Sequence, residues 1–206
     1  MPLKDYDRWT ERENCDLSAV ICICQKSGYG AKSPVNRALS RIQQDLRKMA
    51  EKDGEESYNS VRVAFVYENE VSLGVKPFEV IDENTQISFM ESFGRTEHNL
   101  AHVLFMGLIL LEEAAREEEV PSIKRLYLVT DRRFPRREVN RIIADEEDGE
   151  GNPEANFRED AEDPGSLIIP RFADIYNETG MYLYKTGQAG DQKLEKLFTE
   201  VHIIGE

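Results

Sequence analysis

Leu17-Ser18-Ala19-Val20-Ile21-Cys22-Ile23-Cys24 is an apolar run of strand length that ends in a short polar corner, Gln25-Lys26-Ser27-Gly28. A Gly-containing loop leads from it to Ser33-Pro34, a helix N-cap with proline at the first helical position. Val35, Ala38, Leu39, Ile42, Leu46 and Met49 then recur at helical spacing, with Arg37, Arg41, Gln44, Arg47 and Lys48 around them. The spacing predicts an amphipathic helix lying on a sheet. A buried strand, a loop and a covering helix are the first unit of an α/β fold.

Strand and helix signals alternate along the rest of the chain, as they do in a domain with a mostly parallel sheet. Val61 to Tyr67 reads as the second strand, and Val71 to Val75 with Phe78 to Ile81 are expected to pair beside it as a hairpin turning near Glu68-Asn69. Glu97 to Glu118 is apolar on more than one side through Leu100, Val103, Leu104, Leu108 and Leu111, which predicts a central, largely buried helix. Leu126 to Thr130 reads as a buried strand and Arg137 to Ala144 as a short helix. Pro170 to Thr179 reads as another helix, stopped by Gly180. Met181 to Lys185 is expected as the last strand, and Asp191 as the cap of a final helix with Leu194, Leu197, Phe198 and Val201 turned inward.

A chain of 206 residues with 40% hydrophobic content can bury one substantial core and hardly two. The expectation is a single domain over residues 1–206 with its core from about 17 to 201. There is no apolar run of transmembrane length, and Met1-Pro2-Leu3-Lys4-Asp5 has no signal-peptide pattern, so a cytoplasmic protein without a membrane partner is expected. The net charge of -14 is unevenly spread: Asp145 to Asp163 holds ten acidic residues against the single basic Arg158. That stretch is too polar to offset the ordering of its backbone, and residues 145–165 are read as a mobile acidic loop. Nucleic acid is disfavoured as a partner, because binding it needs a concentrated basic footprint.

Cys22 and Cys24 lie two apart in an apolar run, so a strand points both to one buried face; with Cys15 they read as free thiols. His98 and His102 have helical metal spacing, but with His202 they supply no third ligand at zinc spacing. Catalysis is poorly supported. The Ser27-Gly28-Tyr29-Gly30 loop matches neither glycine-rich phosphate motif, and Ser27, His98 and Asp131 lack the Gly-x-Ser-x-Gly elbow of a hydrolase.

Three apolar runs end in polar corners: Gln25-Lys26-Ser27-Gly28, Gly94-Arg95-Thr96 and Thr130-Asp131-Arg132. In open α/β sheets the crevice beyond the carboxyl ends of the strands gathers side chains from several loops. These corners, with Ser33-Pro34-Val35-Asn36 and the order of strands between them, resemble a von Willebrand factor A domain, nearest the bacterial tellurium-resistance TerY-like subfamily. The resemblance runs from about Leu17 to Val201 and rests on order and spacing, since no single motif is intact. It implies a three-layer, Rossmann-like fold with helices on both faces of the sheet. One departure is the absence of a clear fifth strand between Asp131 and Pro170.

The resemblance further implies a metal-ion-dependent adhesion site in which Ser27, Thr96 and Asp131 hold magnesium or calcium. Gln25 stands where the family has its first aspartate and Tyr29 where it has its second serine. Loss of carboxylate charge and of a close oxygen weakens the hold on a hard dication. Lys26, Arg95, Arg132 and Arg133 flank the same corners and oppose it further. The expected function is therefore a non-catalytic protein-binding module without a bound cofactor. Lys26, Ser27, Arg95, Thr96, Asp131 and Arg132 would receive a partner's acidic residue, in a bacterial stress or tellurium-resistance type complex. A metal-dependent form of the module, and an assembly subunit whose corner is vestigial, are the alternatives.

Overall fold

The computed structural model describes residues 15–25, 33–51, 58–68, 73–82, 85, 100–117, 122–134, 139, 173–186 and 192–204. Strands β1 (Asp16–Cys24), β2 (Val61–Glu68), β3 (Leu73–Ile81), β4 (Ser122–Thr130), β5 (Thr179–Thr186) and β6 (Glu200–Ile204) join in one sheet. Their order is β3-β2-β1-β4-β5-β6, parallel throughout except for the antiparallel β2–β3 pair. Among the described residues two long helices, α1 (Pro34–Ala50) and α2 (Leu100–Glu117), and two short ones, α3 (Ala173–Asn177) and α4 (Gln192–Glu195), accompany it. The fold class is α/β.

The central position of β1 follows from its composition. Leu17, Ala19, Ile21 and Ile23 share one core with Val35, Ala38, Ile42, Leu46 and Met49 of α1. Val20, Cys22 and Cys24 share another with Leu100, Val103, Leu104, Leu108 and Leu111 of α2. The expected side of Cys22 and Cys24 is thus the observed one, and none of the three cysteines is in a disulfide. The one polar side chain inside β1 is also satisfied: Ser18 Oγ accepts from Arg62 Nε at 2.8 Å and donates to Ser122 Oγ at 3.4 Å.

The start of α1 matches its sequence signal. Ser33 is extended, its hydroxyl accepts from the Asn36 amide at 3.1 Å, and Pro34 opens the first turn. The apolar stripe then faces the sheet. Helix α2 sits closer still, at Gly107, where a Cβ would lie 2.7 Å from Cys22 Sγ and 3.0 Å from Leu126 Cδ1. One turn earlier, the Cys22 thiol donates to the Val103 carbonyl at 3.6 Å, and burial pushes that thiol far above its ordinary range. Cys22 is an unreactive packing group.

The second hairpin strand is one continuous element rather than two segments. Its register shifts between Val63–Glu79 and Phe65–Lys76, so Pro77 and Phe78 oppose a single residue. A bulge on an edge strand is where a proline without an amide proton is tolerated. Of the expected turn, Glu68 belongs to β2 and Asn69 lies outside the described residues.

Two expectations near the C-terminus are corrected. The helix expected over 170–179 is described only as Ala173–Asn177, and Thr179 and Gly180 open β5 instead of ending the helix. The final helix is a single turn, Gln192–Glu195, followed by β6, in which Val201 is exposed rather than turned inward. Met181–Lys185 is therefore not the last strand. Of Arg137–Ala144 only Val139 is described, helical and buried, and residues 145–165 lie outside the described residues.

Two consequences for stability follow. Replacement of Gly107 by Ala should destabilise the protein by about 1–3 kcal/mol through overpacking, although alanine is the better helix former; urea unfolding measures it. Burial raises Tyr176, whose hydroxyl donates to the Leu197 carbonyl at 2.7 Å, and Tyr184 from 10.0 to about 12. Phenols held neutral in the folded state contribute stability that is complete below pH 10.0 and is lost as pH rises towards about 12. Alkaline unfolding should therefore set in above pH 10.0, and Tyr176→Phe should blunt that pH dependence in a melting-temperature profile.

Candidate functional site

Parallel pairing brings three strand ends level. Cys24 of β1 is in register with Thr130 of β4, and Thr130 with Lys185 of β5. The chain after β1 begins with Gln25, whose carboxamide oxygen is buried, and the chain after β4 with Asp131, Arg132, Arg133 and Phe134. Two of the three sequence corners thus leave neighbouring strands side by side at the carboxyl edge of the sheet, where α/β proteins bind their ligands.

The β4 corner is held by its own threonine. Buried Thr130 accepts a hydrogen bond from the Arg132 amide at 3.0 Å, which turns the chain at the end of the strand. Asp131 and Arg132 emerge half-buried from that turn. The Arg132 guanidinium lies 5.5 Å from the centroid of the buried Phe134 ring, so its planar fork is oriented by a cation–π contact before any partner arrives. Lys26, Ser27, Arg95 and Thr96 lie outside the described residues, as do Tyr29 and His98. Among the described residues there is no group of three or more His, Cys, Asp or Glu side chains able to hold a metal.

A buried ion pair that the sequence reading did not single out stands at the same edge. Lys185, only 8% exposed at the end of β5, donates to Glu195 of α4 at 2.5 Å. It ties the neighbour of the Thr130 corner to the turn before β6. The available signal was a lysine at the end of an apolar strand, which by itself reads as solvated; only the parallel register with Thr130 gives it a place.

The opposite face of β4 and β5 holds a second unexpected cation. Arg125, 8% exposed, sits 5.4 Å over the Tyr182 ring, with Nη1 directed at Met49 Sδ at 3.5 Å. Burial alone would disfavour its charge, but Tyr127, Tyr182 and Tyr58 outweigh that, and the guanidinium is held above its ordinary range. The neighbouring Tyr127 is raised by burial, which outweighs the opposing influence of Arg125. Tyr127 and Tyr182 stack at 5.1 Å, Tyr127 and Tyr184 lie 6.3 Å apart, and Tyr184 stacks on His202 at 4.4 Å. His202 thus belongs to the α1 face of the sheet while His102 lies on α2 of the other face, which separates two of the three histidines weighed as metal ligands.

No protein-family model, no curated protein and no solved structure matches this chain. No helix among the described residues is long and apolar enough to cross a membrane.

Lys185→Ala leaves Glu195, which keeps solvent contact, without its cation and should cost about 1–3 kcal/mol in urea unfolding, below the range for fully buried pairs. Glu195→Gln leaves the buried Lys185 ammonium without a counter-charge and should cost at least as much.

Proposed function

We propose that this chain is a non-catalytic protein-interaction module of the von Willebrand factor A type, with a three-layer arrangement, that captures an acidic side chain of its partner at the carboxyl edge of the sheet. The observation that carries this reading is the placement of the Gln25 and Asp131–Arg132 corners on adjacent parallel strands. A mostly parallel sheet with β3 paired antiparallel to β2 supports the reading, since the resemblance implies a mostly parallel sheet that includes a strand pair. Lys26, Ser27, Arg95 and Thr96 complete the proposed surface from the other loops. A cytoplasmic bacterial stress or tellurium-resistance type complex is the setting in which such a module would serve.

The donor chemistry supports a metal-free form. Where a tight site for magnesium or calcium gathers several anionic oxygens, this corner offers Asp131 beside the neutral carboxamide of Gln25, with the Lys185 ammonium group at the end of the next strand. Arg132, held over Phe134, is suited to replace the ion, because a guanidinium binds a carboxylate bidentately.

Thermal unfolding in EDTA and in millimolar magnesium, calcium or manganese tests the metal-free form. The melting temperature should not move with any ion. A ligand at one hundred times its Kd would add about 2.7 kcal/mol and raise the melting point by roughly 5–10 °C; such a rise, lost in Asp131→Ala, would establish the metal-dependent form instead. Partner capture from bacterial lysate should fall at least about tenfold in the Arg95→Ala, Arg132→Ala double variant with the fold intact. Undiminished capture would return the corner to a vestigial role.

A further inference from the structure

β4 is apolar almost to its end and then carries a hydroxyl. Leu126, Tyr127, Leu128 and Val129 lead to Thr130, and all five are buried, with Thr130 at 0% exposure. Valine would fill the same space with a similar strand preference, and a hydroxyl taken out of water costs stability unless it is hydrogen-bonded. The bond it makes is to the chain that follows: Thr130 Oγ1 accepts from the Arg132 amide at 3.0 Å. Pairing of β4 with β1 and β5 ends at Thr130, so this amide lies beyond the sheet ladder and is taken up by the side chain two residues back.

That one bond sets the direction in which the strand-end side chains leave the sheet. Asp131 and Arg132 lie in the turn it closes, both half-buried. Two residues on, the Phe134 ring is buried in the core on the α2 side, with the Arg132 guanidinium 5.5 Å from its centroid. The corner thus runs between a strand fixed in the sheet and a ring fixed in the core, and the Thr130 hydroxyl fixes the turn between them. Side chains held in one direction before a partner arrives spare the complex the entropy of ordering them.

We propose that Thr130 is the positioning residue of the strand-end surface, acting through Asp131 and Arg132 without touching the partner. This role rests on the reading of that surface as a site that captures a carboxylate. It demands the hydroxyl and not the methyl group, so two conservative substitutions separate positioning from packing. Thr130→Ser keeps the acceptor and loses a buried methyl group; Thr130→Val keeps the methyl group and loses the acceptor.

The full chain is compared with its Thr130→Val, Thr130→Ser and Arg132→Ala variants in three measurements: amide hydrogen exchange at Arg132 by NMR, melting temperature, and capture of protein from bacterial lysate on the immobilised chain. In Thr130→Val the Arg132 amide should exchange about tenfold faster, the equivalent of one lost hydrogen bond, and capture should fall about threefold or more, towards the level of Arg132→Ala. In Thr130→Ser exchange and capture should stay near those of the unsubstituted chain, although this variant should melt below Thr130→Val for want of the methyl group. Capture that follows the melting temperature instead, lower in the serine than in the valine variant, overturns the proposal, as does an Arg132 amide indifferent to Thr130→Val. Loss of capture in Arg132→Ala with full capture in Thr130→Val overturns the positioning role alone. Capture indifferent to Arg132→Ala overturns the strand-end reading, and the role of Thr130 with it.

Discussion

Everything in this structure is arranged around a strand that has no solvent side. From Leu17 to Cys24 every residue of β1 is buried, so both faces must be covered and both edges paired. β2 and β4 satisfy the edges, α1 and α2 the faces. Burying an aliphatic side chain contributes about 1.5–3 kcal/mol, and β1 supplies such groups to two cores at once. The close approach of α2 at Gly107 follows from that demand: a helix can reach the floor set by Cys22 and Leu126 only where it carries no side chain.

The elements that could be read from sequence are those in which local signals agree with tertiary placement. α1 is legible because its cap, its proline and its apolar stripe all give one answer, and the structure places Ser33 and Pro34 where those signals put them. The segment after Asp191 is the reverse case. Leu194, Leu197, Phe198 and Val201 are spaced as on a helix, yet the helix ends at Glu195 and the next residues turn to pair with β5. Pairing with an available strand edge is a non-local gain that spacing alone does not register. β3 runs on through Lys76 and Pro77, which separate two apolar segments in the sequence, because an edge bulge accommodates a proline.

The candidate site was legible to a similar depth. The Asp131–Arg132 corner falls where a polar turn after a buried strand should fall, and its neighbour Gln25 follows from the parallel register. Lys185 and Arg125 escaped because charged residues within apolar strands are read as solvated, whereas both are more than nine-tenths buried and held by partners distant in sequence, Glu195 and the tyrosines. The four tyrosine and histidine rings that link β4, β5 and β6 on the α1 face likewise exist only once the strands are side by side.

The partners of β1 arrive at very different times. β2 follows it after one helix, whereas Ser18 meets Ser122 across 104 residues of chain. During synthesis the strand destined for the centre is first a rim, apolar on both faces and open along the side that β4 will fill. An exposed apolar edge is a template for pairing with other chains. The ribosome must therefore deliver a further 104 residues after Ser18 before this aggregation-prone edge is closed, and slow translation of the stretch ahead of Ser122 would lengthen the time it stands open.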